Sequence, residues 1–178
     1  MSVFDRRGFL REGRLALSLS FALFGSACLA QDTVSWPAFN GQSEADHYSP
    51  LAQINRTNVH QLKQAWTFDT GEKGGIQTNP LIIGRTLYAY TPSLKVVALD
   101  AATGELKWKF DSGIEGTQPA RGLAYWSDGS DERIFAGIMN YLYCLDARTG
   151  KAISSFGDAG RIDLRKGLAE FRVEDYRQ

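Results

Sequence analysis

The sequence predicts an all-β chain assembled from a repeated four-stranded unit, and three observations carry that prediction. Val97-Ala98-Leu99-Asp100-Ala101-Ala102-Thr103-Gly104-Glu105 aligns with Tyr143-Cys144-Leu145-Asp146-Ala147-Arg148-Thr149-Gly150-Lys151, with Asp100 and Asp146 46 positions apart. Trp66-Thr67-Phe68-Asp69-Thr70-Gly71 is echoed by Trp108-Lys109-Phe110-Asp111-Ser112-Gly113 at a spacing of 42. The segments between these motifs are short β-type runs separated by turn residues. Such periods match one blade of a β-propeller, a four-stranded antiparallel sheet. Two Asp-x-x-Thr-Gly turns would also suit hairpins in any β-protein, but the flanking strands and the second echo favour the propeller. Residues 31–178 hold two to three such blades.

Residues 1–30 read as an export leader. Arg6-Arg7-Gly8-Phe9-Leu10-Arg11 resembles a twin-arginine signal, Leu15 to Phe24 is apolar, and Cys28-Leu29-Ala30 offers a small-residue cleavage site before Gln31. The apolar run ends at Gly25-Ser26-Ala27, short of the roughly 20 residues a bilayer span needs. The alternatives are an N-terminal membrane anchor, a buried helix, or a lipid-anchored form using Cys28, against which Gly25 stands where a leucine is expected. Export by the twin-arginine route delivers a folded protein to the periplasm, with membrane association left open.

In the repeat itself, Leu87-Tyr88-Ala89-Tyr90 and Val96-Val97-Ala98-Leu99 are two strands split by Thr91-Pro92-Ser93. Asp100 to Gly104 is a turn, because Asp at its first position accepts backbone N–H bonds and Gly takes positive φ at little cost. Leu106-Lys107-Trp108-Lys109-Phe110 alternates apolar and polar, as a half-buried strand does. Trp108 is placed to fill the gap between neighbouring blades. The second copy carries Ser154 in its place, so docking there is degenerate, with Phe156 as a partial substitute.

Composition narrows the function. The 20 basic and 20 acidic residues cancel, which argues against nucleic acid as a partner. Without residues 1–30, whose four arginines exceed Asp5 and Glu12 by two, the remainder stands near −2. Cys28 falls in the leader, so Cys144 alone remains and no intramolecular disulfide can form. No Cys or His cluster has zinc-site spacing.

Several segments together resemble the pyrroloquinoline-quinone (PQQ)-dependent, or quinoprotein, dehydrogenases. Ala98-x-Asp100-x-x-x-Gly104-x-x-x-Trp108 is similar to their tryptophan-docking motif. Trp36-Pro37-Ala38-Phe39-Asn40-Gly41, Tyr48-Ser49-Pro50-Leu51-x-x-Ile54-Asn55 and Gln64-Ala65-Trp66-Thr67-Phe68 resemble their N-terminal signature. Arg121-Gly122-Leu123-Ala124-Tyr125-Trp126 is similar to the cofactor-side segment of the second blade, and Ser155 to Arg165 to the linker that follows it. The resemblance runs from about Trp36 to Leu168. It implies an eight-bladed propeller with PQQ on its axis, usually beside Ca²⁺, oxidising a sugar, polyol or alcohol hydroxyl and passing electrons to a quinone or a cytochrome.

Two cofactor-binding residues carry over. Arg121 matches the arginine that pairs with a cofactor carboxylate, a task suited to a planar, permanently charged fork; the alternative is a surface arginine. Gln77, in Gln77-Thr78-Asn79-Pro80, falls where relatives carry Glu or Gln, and its amide can bond a carboxylate or ring carbonyl; the alternative is a polar strand-start residue. Gly116-Thr117-Gln118-Pro119-Ala120 stands where alcohol-oxidising members often have adjacent cysteines, which leans toward sugars or polyols. No catalytic residue or metal ligand is expected in this chain: the base and the Ca²⁺ ligands belong to later blades. Asp100 and Asp146 are turn residues, and His47 and His60 are isolated. With two to three blades of eight, the chain is expected to be an N-terminal piece, inactive alone. The rival is a non-catalytic propeller scaffold such as an outer-membrane assembly lipoprotein, which has no reason to keep a cofactor arginine.

Overall fold

The computed structural model describes residues 34–42, 44–116 and 119–166. All belong to the second of two units into which the chain divides, Asp32–Gln178; the leader expected at residues 1–30 lies outside the described residues. Among them are two four-stranded antiparallel sheets, each a meander in sequence order. The first comprises β1 (Leu81–Ile83), β2 (Thr86–Tyr90), β3 (Val96–Asp100) and β4 (Leu106–Phe110); the second comprises β5 (Ala124–Ser127), β6 (Glu132–Ile138), β7 (Tyr141–Asp146) and β8 (Arg161–Asp163). These are two blades of a propeller, as the repeat predicts.

The turns form for the reason their sequence gives. Asp100 Oδ1 accepts the N–H groups of Ala102 and Thr103 at 3.0 and 3.2 Å, and Asp146 Oδ1 accepts those of Arg148 and Thr149 at 3.1 and 2.8 Å. Gly104 and Gly150 follow at φ +75° and +70°, a region that glycine enters without a Cβ penalty. Backbone bonds to Ala102 and Thr103, with Arg85 and Lys107 nearby, hold the Asp100 carboxyl below its usual range. The Thr149 hydroxyl and the N–H groups of Thr149 and Arg148 do the same for Asp146.

The sheets share one core. Tyr88, Tyr90, Val96 and Ala98 of the first pack against a face of the second that includes Ile134 and Leu145. Both tyrosines cross the interface with their hydroxyls, Tyr88 donating to the Ala147 carbonyl and Tyr90 to the Gly137 carbonyl, each at 3.1 Å. A buried hydroxyl needs such a partner to offset its lost hydration. Burial pushes both phenols up to about 12.

Docking by tryptophan is equally explicit. Trp108 Nε1–H donates to the Ala147 carbonyl at 3.0 Å, and its ring lies over Gly150. Trp66 makes the same contact one unit earlier, donating to the Ala101 carbonyl at 3.2 Å with its ring over Gly104. The Trp66 segment thus sits on the first sheet as β4 sits on the second, although among the described residues it pairs with no strand.

Two expectations are corrected in the second repeat. The copy of β4 does not continue beyond Ala152, which bridges to Leu145. The chain leaves through a loop at residues 153–160 and the fourth strand resumes as β8, where Arg161, Ile162 and Asp163 oppose Tyr143, Leu142 and Tyr141. Gly157, Ala159 and Gly160 all hold positive φ in this loop, a backbone path that no strand follows. Arg161–Asp163 is therefore part of the sheet, not a linker after it. Phe156 packs edge-on against Phe135 of its own sheet, with centroids 5.7 Å apart, and not across a blade gap.

Candidate functional site

In each meander the first strand has an unpaired edge, so β1 and β5 are the innermost strands of their blades. They are held together where they begin. Asn79 N–H donates to the Arg121 carbonyl at 2.9 Å, and Asn79 and Gly122 form a parallel bridge. Gln77 lies two residues before Asn79, and Arg121 one residue before Gly122. The structure therefore brings both expected cofactor-binding residues to the same end of two adjacent inner strands. Both are exposed, and Arg121 makes no ion pair with the described residues. A permanently charged fork beside a carboxamide suits an anionic, carbonyl-bearing molecule, and so fits the carboxylates and quinone oxygens of PQQ.

Gln77 also lines a cleft of about 210 Å³ with Lys73, Tyr90, Pro92 and Ala120. Its outer wall is pinned by ion pairs. Lys95 Nζ lies 3.0 Å from Asp111 and 3.5 Å from Glu72, and Glu72 Oε2 accepts the Ser93 N–H at 2.9 Å. Partial burial would raise the Glu72 carboxyl, but hydrogen bonds from Ser93 and Thr91 and the Lys95 ammonium outweigh it and hold it at about 2.

The N-terminal signature closes the free edge of β1. Trp36 N–H donates to the Ile82 carbonyl at 2.6 Å and Ile82 N–H to the Trp36 carbonyl at 3.0 Å. A two-residue turn at Phe39-Asn40 follows, closed by Ala38 and Gly41, with Asn40 at φ +67°. Asn79 Nδ2 donates to Asn40 Oδ1 at 3.4 Å, and Phe39 lies beside Gly122. The sequence offered no periodic signal for Asn40 or Asn79 at the site, because their meeting depends on how the N-terminal segment crosses the inner strands. His47, expected to be isolated, is exposed but borders a cleft next to Asn79. His60 is exposed on a single 3-10 turn, Val59–Gln61. Cys144 is buried and unpaired, and burial pushes its thiol up. Among the described residues no group of three or more His, Cys, Asp or Glu side chains is placed to hold a metal.

Comparison with known proteins agrees with this arrangement. Residues 36–178 match the family model for the glucose/ethanol/alcohol dehydrogenase β-propeller domain of PQQ proteins. The dehydrogenase subunit of the quinone-dependent alcohol dehydrogenase of Gluconobacter oxydans is 37% identical over 129 residues, covering 67% of this chain and 16% of that protein. The quinoprotein glucose dehydrogenase of Escherichia coli is 31% identical over 160 residues, 76% of this chain and 20% of that protein. In structure, the chain is similar to the quinohemoprotein alcohol dehydrogenase of Comamonas testosteroni, with a TM-score of 0.63 and 25% identity over 78% of this chain and 20% of that one. The chain spans about a fifth or less of the length of these relatives. Two blades with tryptophan docking, and a family match that runs from Trp36 through both of them, place the chain in the PQQ-dependent glucose/ethanol/alcohol dehydrogenase β-propeller family.

Proposed function

We propose that this chain is the N-terminal part of a periplasmic PQQ-dependent dehydrogenase that oxidises a sugar, polyol or alcohol hydroxyl and passes electrons to a quinone or cytochrome. observation carries the cofactor assignment: Gln77 and Arg121 stand at the joined starts of β1 and β5. When bound, PQQ supplies the hydride-accepting carbonyl of the reaction. The chain's own residues bind and orient it. Arg121 pairs with a carboxylate of the cofactor, Gln77 bonds a second oxygen, and the Asn79–Gly122 bridge fixes their spacing. A Ca²⁺ ion acting as Lewis acid and a carboxylate base would be held by parts of the enzyme outside these two blades. The leader motif at Arg6-Arg7 supports export, and a reporter fused after Gln31 should reach the periplasm only while both arginines are intact.

Equilibrium dialysis of the purified chain against PQQ tests the cofactor assignment. Arg121→Ala should weaken binding at least tenfold, and Arg121→Lys should restore part of it, because lysine keeps the charge but not the fork. Equal binding by wild type and Arg121→Ala would refute the site. Dye-linked turnover should be absent from the chain alone; turnover would show that these blades suffice.

A further inference from the structure

Beside the proposed cofactor residues lies a second cleft to which no role has been given. It has a volume of about 310 Å³ and is lined by Trp36, Asn40, His47, Asn79, Pro80 and Ile82. That is the lower end of the range for small-molecule clefts, roughly 300 to 1,000 Å³. Its chemistry is specific. An indole, a proline and an isoleucine supply apolar surface, two carboxamides and an imidazole supply donors and acceptors, and no Lys, Arg, Asp or Glu lines it. A carboxamide offers two donors and two acceptor lone pairs. Among the described residues, the one side-chain hydrogen bond of Asn40 and of Asn79 is the long contact between them, 3.4 Å. Most of their bonding capacity faces solvent or a ligand.

The polar groups are also held in place. Asn40 occupies the third position of a four-residue turn at φ +67°, closed by reciprocal Ala38–Gly41 bonds of 3.1 Å, and its carbonyl accepts the His47 N–H at 3.0 Å. His47 itself sits at φ +54°. Strained non-glycine backbone of this kind persists where surrounding structure over-determines it, and it concentrates at ligand sites. Asn79 is fixed by its bond to the Arg121 carbonyl and its bridge to Gly122.

We infer that this cleft binds a neutral polyhydroxylated molecule, of monosaccharide or short-polyol size, with its hydroxyls on Asn40, Asn79 and His47 and its carbon face on Trp36. The absence of charge from the lining disfavours an anionic ligand, and the density of amide groups disfavours a simple hydrocarbon. Because Asn79 bonds the backbone of Arg121, such a molecule would lie next to the cofactor site. Its service as a substrate subsite rests on the function proposed above; the binding itself does not.

Saturation-transfer difference NMR on the 178-residue chain provides the test, with D-glucose and glycerol as probes and tetrahydropyran as a ring without hydroxyls. The decisive variant is Asn40→Gly, since glycine adopts the positive φ of this turn freely and removes only the amide. Asn79→Ala is the second variant, and circular dichroism checks that each remains folded. Transfer to glucose or glycerol, reduced at least fivefold in Asn40→Gly, is the expected result. No transfer in the wild type, equal transfer in both variants, or transfer to tetrahydropyran as strong as to glucose would each overturn the inference. PQQ dialysis separates this from the cofactor assignment. If PQQ binds through Arg121 while the sugars give no transfer, the subsite alone fails; if the sugars respond to Asn40→Gly while PQQ does not bind, the cofactor assignment alone fails.

Discussion

The ring of Trp108 lies so close over Gly150 that a Cβ on Gly150 would stand 2.5 Å from the indole. The contact joins β4 of one sheet to the turn of the next, and the indole N–H completes it at the Ala147 carbonyl. Truncation by Trp108→Ala should cost about 2–4 kcal/mol, toward the lower part of the usual range for Trp→Ala because the side chain is half-buried. Trp108→Phe keeps most of the packing and loses the hydrogen bond, about 1 kcal/mol. Urea unfolding followed by circular dichroism checks both values.

The glycine side of the contact is testable by itself. Gly150→Ala meets two obstacles, the indole and a φ of +70°, and should destabilise by about 1–3 kcal/mol. Combined with Trp108→Ala, the steric part disappears and only the backbone part remains. A double-mutant cycle should therefore show a coupling of about 1 kcal/mol or more. Strict additivity would mean that ring and glycine do not touch in solution.

Alkaline pH should loosen the interface between the sheets. Tyr88 and Tyr90 have folded values raised to about 12, against about 10 in an unfolded chain. Below pH 10 both states are protonated and the stabilisation is complete. Between about 10 and 12 the unfolded state ionises first, so stability falls as pH rises. Tyr90→Phe should flatten that fall in denaturant midpoints measured from pH 8 to 12, while lowering stability at pH 8 through loss of the bond to the Gly137 carbonyl.

Acid acts on the other end of the sheet. The Glu72 carboxyl is held at about 2 in the folded chain, down from 4.5, so its contribution is present above pH 4.5 and is lost as pH falls toward 2. Glu72→Gln should lower stability at pH 7 and reduce the slope of stability against pH between 4.5 and 2. An unchanged slope would place the acid sensitivity elsewhere, with Asp111 as the next candidate, since it shares Lys95.

What was legible in the sequence was local or periodic. Asp100 and Asp146 could be assigned to turns because the bonds they accept lie two and three residues away. Trp66 could be matched to Trp108 because the repeat preserved the contact even where no strand accompanies it. The split fourth strand was hidden because Ala152 pairs as the repeat requires and the departure begins only after it; Gly157 and Gly160 then mark a loop whose exit residue periodicity cannot place. Gln77 and Arg121 were found through family resemblance. Asn40, His47 and Asn79 were not assigned to a site, because nothing in their spacing shows that a chain segment some forty residues upstream lies along the edge of β1.

The meander order of both sheets sets a timetable for synthesis. Each strand pairs with its neighbour in sequence, so the first sheet can close as soon as residue 110 has emerged, using contacts of low sequence separation. Trp108, however, must wait for Ala147 and Gly150, about forty residues later. During that interval the buried face of the first sheet, including Tyr88 and Tyr90, is uncovered on the nascent chain. The propeller thus grows blade by blade, each new sheet covering the face left open by the one before it.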